Sequence, residues 1–215
     1  MINRRDAFSA IGLAAFGPAV FGLTAVGLAT TARAHHSTTA EPGGEMGGEM
    51  VLGAADAPIT MIEYSSLTCP HCAKFHVEAL PAIKTNYIDS GKVRLVYRDF
   101  PLDKAALLAS ALAHCAGPER YFRFLDVLFR SQQSWAMADD PVTALVRIGR
   151  LGGLKGDQID ACFNDKALID RILASRVEGA RDFEIASTPT FVINGEKVVG
   201  ALPYEQFEAI FERLL

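Results

Sequence analysis

This sequence of 215 residues has no long run of basic residues, and that absence narrows the classes of function it can serve. The formal net charge is −4, and Lys and Arg do not cluster outside the N-terminus. Proteins that bind a nucleic-acid backbone carry such clusters, so nothing here predicts a nucleic acid as a partner. Internal repeats are also absent. The length allows one core with an insertion, but not two large domains.

Cysteine is scarce as well, because the chain has only four, and only Cys69 and Cys72 lie close together. A zinc site needs four ligands, usually from a second C-x-x-C pair or an H-x-x-x-H pair, and the sequence has neither. Cys115 and Cys162 stand alone. We therefore predict no metal site and interpret Cys69 and Cys72 as a redox pair. Half of a zinc site and an inert short-range disulfide are the alternatives.

Cys69 is predicted to begin a helix. It follows a strand-like run at 59–64 and a polar connection, and apolar residues then recur at helical spacing up to about residue 88. Pro70 suits the first helical position, where its missing N–H would be unpaired anyway. The free N–H groups and the dipole of a helix start favour a thiolate, the reacting species in thiol–disulfide exchange. We predict Cys69 as the attacking thiolate and Cys72 as the resolving thiol.

His71 lies between the two cysteines. Positive charge on its ring would stabilise the neighbouring thiolate further. A stabilised thiolate favours the dithiol form over the disulfide, and the disulfide then becomes a stronger oxidant. We therefore interpret Pro70 and His71 as residues that tune the pKa of Cys69 and the redox potential of the pair.

Residues 1–34 have the pattern of an export signal. Arg4 and Arg5 precede an uncharged stretch at 7–32 that is rich in Ala and Gly, and Ala-Arg-Ala at 32–34 suits cleavage after residue 34. The pair resembles a twin-arginine signal, although Ala7 replaces the usual Phe, so the Sec route stays open. The alternative is a membrane anchor at 7–32, which its glycines and proline make a poor one. We predict a periplasmic protein, in a compartment where disulfides persist.

The rest of the chain predicts one α/β fold after a short spacer. Residues 35–50 are rich in glycine and predict a flexible linker. Beyond them the order is β-α-β, a helical block, and β-β-α, with a hairpin signal at Asn194-Gly195 and a proline, Pro81, that should distort the first helix. This order predicts a single mixed sheet covered by helices. It is a thioredoxin-like domain at 51–102 and 183–215, with an all-helical insertion at 103–182.

With these motifs the chain resembles the DsbA-type thiol:disulfide oxidoreductase family, whose thioredoxin fold carries a helical insertion. The resemblance rests on Cys-Pro-His-Cys at 69–72, Arg-Asp-Phe-Pro-Leu at 98–102 and Ser-Thr-Pro-Thr-Phe at 187–191, and it covers residues 51–215. It implies a cis peptide bond between Thr188 and Pro189, lying against the cysteine pair. Thr188 would then offer its backbone to an extended substrate. From the residues alone, a trans proline that opens a strand would be expected.

The resemblance also implies roles for three further residues. Glu63 is expected to be a buried acid beneath the cysteine pair that exchanges a proton with Cys72, and a solvated glutamate at a strand end is the alternative. Cys115 and Cys162 are expected to form a structural disulfide, and two free core thiols are the alternative. We interpret His76 and His114 as ordinary helix residues.

The predicted function is that of a monomeric, exported dithiol oxidase that needs no organic cofactor and no metal. It would donate the Cys69–Cys72 disulfide to reduced or misoxidised exported proteins. The resemblance implies that a DsbB-type membrane partner reoxidises it. A reductase or isomerase is one alternative, although isomerases of this kind usually add an N-terminal dimerisation domain that residues 1–50 are too short to form. A metal-binding or chaperone-type module is the other.

Overall fold

The computed structural model describes residues 44–46 and 49–215. The predicted export signal at 1–34, with the alternative anchor at 7–32, and most of the predicted linker lie outside the described residues. Within the described ranges, no helix has both the length and the apolar character needed to cross a membrane.

Six strands in this part of the chain form one mixed sheet in the order β1-β2-β4-β3-β5-β6. The central pair β3 and β4 is parallel, and every other neighbouring pair is antiparallel. The strands are β1 (Gly44–Met46), β2 (Glu49–Leu52), β3 (Ile59–Ser65), β4 (Val93–Asp99), β5 (Thr190–Ile193) and β6 (Glu196–Val199).

Eight helices accompany the sheet in the described residues. The first, α1, covers 70–88 and alternates between α-helical and π-helical turns: Pro70–Lys74, Phe75–Ala79, Leu80–Ile83 and Lys84–Ile88. The others are α2 (Lys104–Cys115), α3 (Pro118–Arg130), α4 (Gln132–Ala136), α5 (Pro141–Leu151), α6 (Gly156–Phe163), α7 (Lys166–Asp182) and α8 (Tyr204–Leu214).

This order confirms the predicted thioredoxin-like fold. A parallel β3-α1-β4 unit comes first, helices α2 to α7 follow, and the β5-β6 hairpin with α8 completes the fold. Asn194 and Gly195 form the hairpin turn with φ of 46° and 91°, the positive values that a two-residue turn of this kind requires. Helix α4 is too short for its apolar period to predict it.

The predicted linker at 35–50 is too long at its C-terminal end. Strand β1 lies inside that range, and β2 begins at Glu49, whereas the first strand predicted from the sequence is at 59–64. Strand β2 pairs with β4 and buries Met50, Val51 and Leu52. The four glycines at 43–48 hid the strands in the sequence, because glycine is depleted in strands and supplies no apolar period.

Pro81 accounts for part of the irregularity of α1. Proline cannot donate the i→i−4 hydrogen bond that a regular helix needs at that position. Just before it, the N–H of Leu80 bonds to the carbonyl oxygen of Phe75, five residues back, which closes a π-helical turn. Such one-turn π segments are a known way for a helix to absorb a disturbance of its hydrogen-bond ladder.

A disulfide joins Cys115 of α2 to Cys162 of α6. The two residues are separated by 47 positions in sequence. Closing a loop of this length stabilises a fold by about 4 kcal/mol, mainly by restricting the unfolded chain. The bond therefore fixes two helices of the insertion to each other.

The face of the sheet opposite the cysteine pair packs closely on α7. Tyr64 of β3 is fully buried there, in a cluster with Phe100, Ile185 and Val192. A Cβ atom added at Gly179 of α7 would lie 2.5 Å from Cε1 of Tyr64. Only glycine therefore allows α7 to lie this close to the sheet.

We expect Gly179→Ala to lower the free energy of unfolding by about 1–3 kcal/mol, because the added methyl group overpacks a rigid aromatic contact. The control is Gly156→Ala in α6, where the nearest atom to a new Cβ is the flexible Nη2 of Arg150 at 3.2 Å. That variant should change stability by about 0.5 kcal/mol or less. Urea unfolding measures the free energy of unfolding of both variants. Equal losses in the two would contradict the close contact between α7 and Tyr64.

Candidate active site

Cys69 is the N-cap residue of α1 and Pro70 is its first helical residue, as the sequence predicted. Cys69 is 6% exposed, and Cys72, one turn further into the helix, is fully buried. Both are free thiols in this structure. The two sulfurs thus lie at the same helix end but differ in their access to solvent.

The pKa of Cys69 is lowered from 9.0 to about 5. The largest cause is a hydrogen bond from the thiol of Cys72. Burial opposes this effect, whereas the Thr188 side chain and the backbone N–H groups of Cys72 and His71 lower the pKa further. Cys69 is therefore a thiolate at neutral pH.

The pKa of Cys72 moves in the opposite direction, far above its usual range. Burial is the largest cause, and the neighbouring Cys69 adds to it, because a second anion beside the first is unfavourable. Cys72 therefore stays protonated and supplies the hydrogen bond that stabilises the Cys69 thiolate. The two thiols are chemically different although they are only three residues apart.

His71 and Pro70, the predicted tuning residues, are both exposed. The part of His71 that acts on the pKa of Cys69 is its backbone N–H group. The lowered pKa of Cys69 therefore depends mainly on Cys72 and on the backbone N–H groups at the helix start.

The peptide bond between Thr188 and Pro189 is cis, and it lies beside the cysteine pair. The sulfur of Cys69 lies 3.3 Å from the carbonyl oxygen of Thr188, to which the protonated thiol can donate. Strand β5 follows at Thr190, which lies opposite Tyr64 of β3. The sheet therefore positions the cis bond next to the reactive sulfur.

The helical insertion holds the loop that leads to Cys69. The side-chain amide of Gln132, in α4, donates to the carbonyl oxygens of Leu67 at 2.8 Å and of Cys69 at 2.9 Å. Asp103, the N-cap residue of α2, accepts a hydrogen bond from the hydroxyl of Thr68 at 2.7 Å. The sequence did not indicate Gln132, because a lone polar residue in a short helix carries no recognisable signal.

Glu63 is fully buried and paired with a histidine. Its two carboxylate oxygens lie 2.9 and 3.1 Å from Nε2 of His76, which is 4% exposed. The ring of His76 stacks on Phe129 of α3 at a centroid distance of 4.0 Å. His76 also lines a cavity of about 520 Å³ between α1 and α3. Glu63 is therefore not the solvated glutamate of the alternative interpretation.

A second pair joins the buried Asp99 of β4 to the partly buried His114 of α2, with 2.7 Å between Oδ2 and Nε2. The interpretation of His76 and His114 as ordinary helix residues is therefore wrong, since each faces a buried carboxylate. The sequence contained a partial signal, because each histidine lies on the apolar side of its helix. Its partner could not be identified, because that depends on how the helix packs on the sheet.

Within the described ranges, no cluster of three or more His, Cys, Asp or Glu side chains is arranged to hold a metal ion. What the site does contain is one thiolate near the surface and one protonated thiol behind it. This pair can exchange a disulfide with another molecule, because the outer sulfur can attack or leave and the inner one can close the bond.

Comparison with known proteins agrees with this chemistry. The family model described as Thioredoxin matches residues 45–213. The chain is 35% identical over 148 residues to a provisionally named protein-disulfide oxidoreductase of Rickettsia bellii, a match that covers 68% of this chain and 57% of that protein. It is 28% identical over 178 residues to disulfide bond formation protein D of Bacillus subtilis, covering 78% of each.

Solved structures give the same result. The crystal structure of alpha-DsbA1 from Wolbachia pipientis is similar with a TM-score of 0.74 and 36% identity, covering 79% of this chain and 92% of that one. A protein-disulfide isomerase from Novosphingobium aromaticivorans shares the fold, with a TM-score of 0.68 and 24% identity over 78% and 97% of the two chains. The present chain spans little more than half the length of the Rickettsia relative.

Replacing Cys72 should raise the pKa of Cys69, because Cys72 supplies the largest stabilising hydrogen bond. We expect the ultraviolet absorbance of the thiolate to titrate near pH 5 in the native reduced protein and about one unit or more higher in Cys72→Ala. Cys72→Ser keeps a hydroxyl donor and is the matched control, with a smaller change. Identical midpoints in Cys72→Ala and the native protein would show that the hydrogen bond has no such role.

The lowered pKa of Cys69 also predicts how the stability of the reduced protein depends on pH. Between about pH 5 and pH 9 the unfolded chain keeps the Cys69 proton and the folded protein does not, so stability rises with pH across this window. The contribution of Cys69 is lost as the pH falls from about 9 to about 5, and below that it no longer changes with pH. Denaturant unfolding of the reduced protein and of Cys69→Ala measures the effect, and the variant should lack this part of the slope.

Proposed function

Because the chain belongs to the DsbA-like family of thioredoxin-fold protein-disulfide oxidoreductases, we propose that it is an exported dithiol oxidase. Its oxidised form donates the Cys69–Cys72 disulfide to reduced or misoxidised proteins. The single observation that carries this proposal is the difference between the two thiols, one with its pKa lowered to about 5 and the other with its pKa raised.

The difference in pKa favours donation of the disulfide. A stabilised thiolate lowers the free energy of the dithiol form, so the disulfide accepts electrons readily. A client thiolate attacks the sulfur of Cys69, and the bond to Cys72 breaks. A second client thiolate then attacks the client sulfur of this mixed disulfide, and Cys69 leaves as a stable thiolate. The client gains a disulfide and the enzyme is left reduced.

The surrounding residues have supporting roles in this cycle. The cis bond at Thr188–Pro189 supports binding of an extended client segment next to Cys69, where strand-like pairing with the Thr188 backbone would orient it. Pro70 and the N–H groups of α1 keep the thiolate stable. Glu63, paired with His76, is the proposed proton acceptor and donor for Cys72. The Cys115–Cys162 disulfide has a structural role.

The cellular setting is part of the same proposal. The pattern at 1–34 supports export to the periplasm by the twin-arginine or Sec route, where disulfides persist. The reduced enzyme must pass the two electrons that it took from the client to an oxidant. We propose a DsbB-type membrane protein for this role. We propose that the enzyme works as a monomer, without a metal or an organic cofactor.

The proposal predicts a strongly oxidising Cys69–Cys72 pair. Equilibration with glutathione buffers should give a potential less negative than about −180 mV, and a value near −270 mV would instead indicate a reductase. The oxidised protein should also transfer its disulfide to a reduced, unfolded client, measured by the loss of free thiols on the client.

Two variants test which cysteines carry this activity. Cys69→Ser should abolish transfer, whereas the double variant Cys115→Ser and Cys162→Ser should retain it at a temperature where that protein is folded. If Cys69→Ser keeps the native rate of client oxidation, the proposed function is wrong.

A further inference from the structure

A row of buried polar side chains crosses the sheet beneath the cysteine pair. The register of β3 and β4 places Glu63 opposite Tyr97 and Ser65 opposite Asp99. Residues paired in this way, two positions apart on each strand, project from the same face of the sheet. All four are 5% exposed or less. Cys72 and Tyr97 belong to the same core cluster on this face, so the polar row of Glu63, Ser65, Tyr97 and Asp99 lies under the active site.

Three members of the polar row have an oxygen without a hydrogen-bond partner among the described residues: Oγ of Ser65, the hydroxyl of Tyr97 and Oδ1 of Asp99. The same is true of Nδ1 of His114, whose other ring nitrogen contacts Asp99. A buried polar atom without a partner costs about 1–3 kcal/mol. Four such atoms in one region therefore call for a functional explanation.

Tyr97 lies at the centre of this group. Burial is the largest cause that raises its pKa, followed by the charges of Asp99, Glu63 and Cys72, so its hydroxyl stays neutral. The hydroxyl of Ser65 acts on the pKa of both Cys72 and Tyr97, lowering each. Its oxygen has no hydrogen-bond partner among the described residues.

Two aromatic rings from the helices also face Tyr97. The ring of His76 in α1 lies 6.0 Å from it between centroids, and that of Tyr121 in α3 lies 5.9 Å away. These contacts hold the ring of Tyr97, while its hydroxyl keeps no fixed partner among the described residues.

The row ends at a cavity of about 280 Å³ that opens to solvent between β4 and α7. Tyr97, Asp99 and His114 line this cavity, together with Ser175 of α7. A space of this size holds several water molecules, each of about 30 Å³. The other charged groups that line it are Glu49, Arg98, Arg171 and Glu178.

We propose that the hydroxyls of Ser65 and Tyr97 carry a proton between the sulfur of Cys72 and the Asp99–His114 pair at this cavity. The inference rests on the proposed function, because in that cycle Cys72 must gain and lose a proton. When a client thiolate bonds to the sulfur of Cys69, the Cys69–Cys72 bond breaks and its electron pair passes to Cys72. The proton for Cys72 then moves along the two hydroxyls, and the Asp99–His114 pair replaces it from water. During reoxidation the proton moves outward.

Glu63, proposed above to exchange a proton with Cys72, belongs to a separate path. Both of its oxygens contact the same nitrogen of His76, so a proton that it exchanges must compete with that contact. The hydroxyl of Tyr97 has no such commitment and can accept a proton on one side while it donates one on the other. Tyr97 therefore connects Cys72 to solvent by a route that does not pass through His76.

A reaction of the reduced protein with excess dithiobis-nitrobenzoate tests this route in two steps. Cys69 attacks the reagent and releases one thionitrobenzoate, which reports the Cys69 thiolate alone. Cys72 then loses its proton and displaces the second thionitrobenzoate from Cys69. We expect Tyr97→Phe to slow the second release about a hundredfold, at the low end of what proton-transfer groups contribute, and to leave the first unchanged.

Tyr64→Phe is the matched control. Tyr64 is also a fully buried tyrosine whose hydroxyl has no partner among the described residues, but it lies on the opposite face of the same sheet. It should alter neither step. Ser65→Ala removes a much smaller group and should slow the second release alone, which keeps the test valid if Tyr97→Phe folds poorly. The effect of Tyr97→Phe should persist in the Glu63→Gln background.

Two results would overturn the inference: an unchanged second release in both Tyr97→Phe and Ser65→Ala, or equal slowing by Tyr97→Phe and Tyr64→Phe, which would indicate a packing effect. Failure of the proposed function looks different. A slow first release in the native protein at neutral pH would mean that Cys69 is not a thiolate, whatever the route for the Cys72 proton.

Discussion

The effect of the two thiols at the start of α1 on each other's pKa is the interaction on which the rest of the site depends. Cys69 ends the loop and Cys72 lies one turn inside the helix, so the first residue keeps a slight solvent exposure and the second has none. Burial keeps the inner thiol protonated, and its proton stabilises the outer thiolate. A change that exposed Cys72 would therefore also alter the chemistry of Cys69.

The helical insertion is part of this arrangement and more than a cover for the sheet. Gln132 of α4 and Asp103 at the start of α2 bond to the loop that precedes Cys69. The insertion also supplies His114, which pairs with the buried Asp99. The thioredoxin-like domain provides the cysteines and the cis proline. The insertion fixes the loop and provides the histidine of one of the two acid–histidine pairs.

The features that the sequence predicted are those with local causes. Pro70 marks a helix start, Asn194-Gly195 marks a hairpin, and helical periodicity marks the insertion, because each signal is contained in a few neighbouring residues. The cis bond and the buried Glu63 were expected from family resemblance alone. The pairing of each buried acid with a histidine depends on which helix packs over which strand, and no local pattern encodes that.

In this structure Cys115 and Cys162 form a disulfide, whereas Cys69 and Cys72 are free thiols. We expect the disulfides Cys69–Cys72 and Cys115–Cys162 to differ in reduction potential. Stabilisation of the Cys69 thiolate makes its disulfide easy to reduce, whereas the bridge between α2 and α6 draws its stability from restricting a long unfolded loop. We therefore expect a mild reductant to reduce the Cys69–Cys72 disulfide and to leave Cys115–Cys162 intact. The structural disulfide would then hold the insertion together through each cycle of reduction and reoxidation at Cys69 and Cys72.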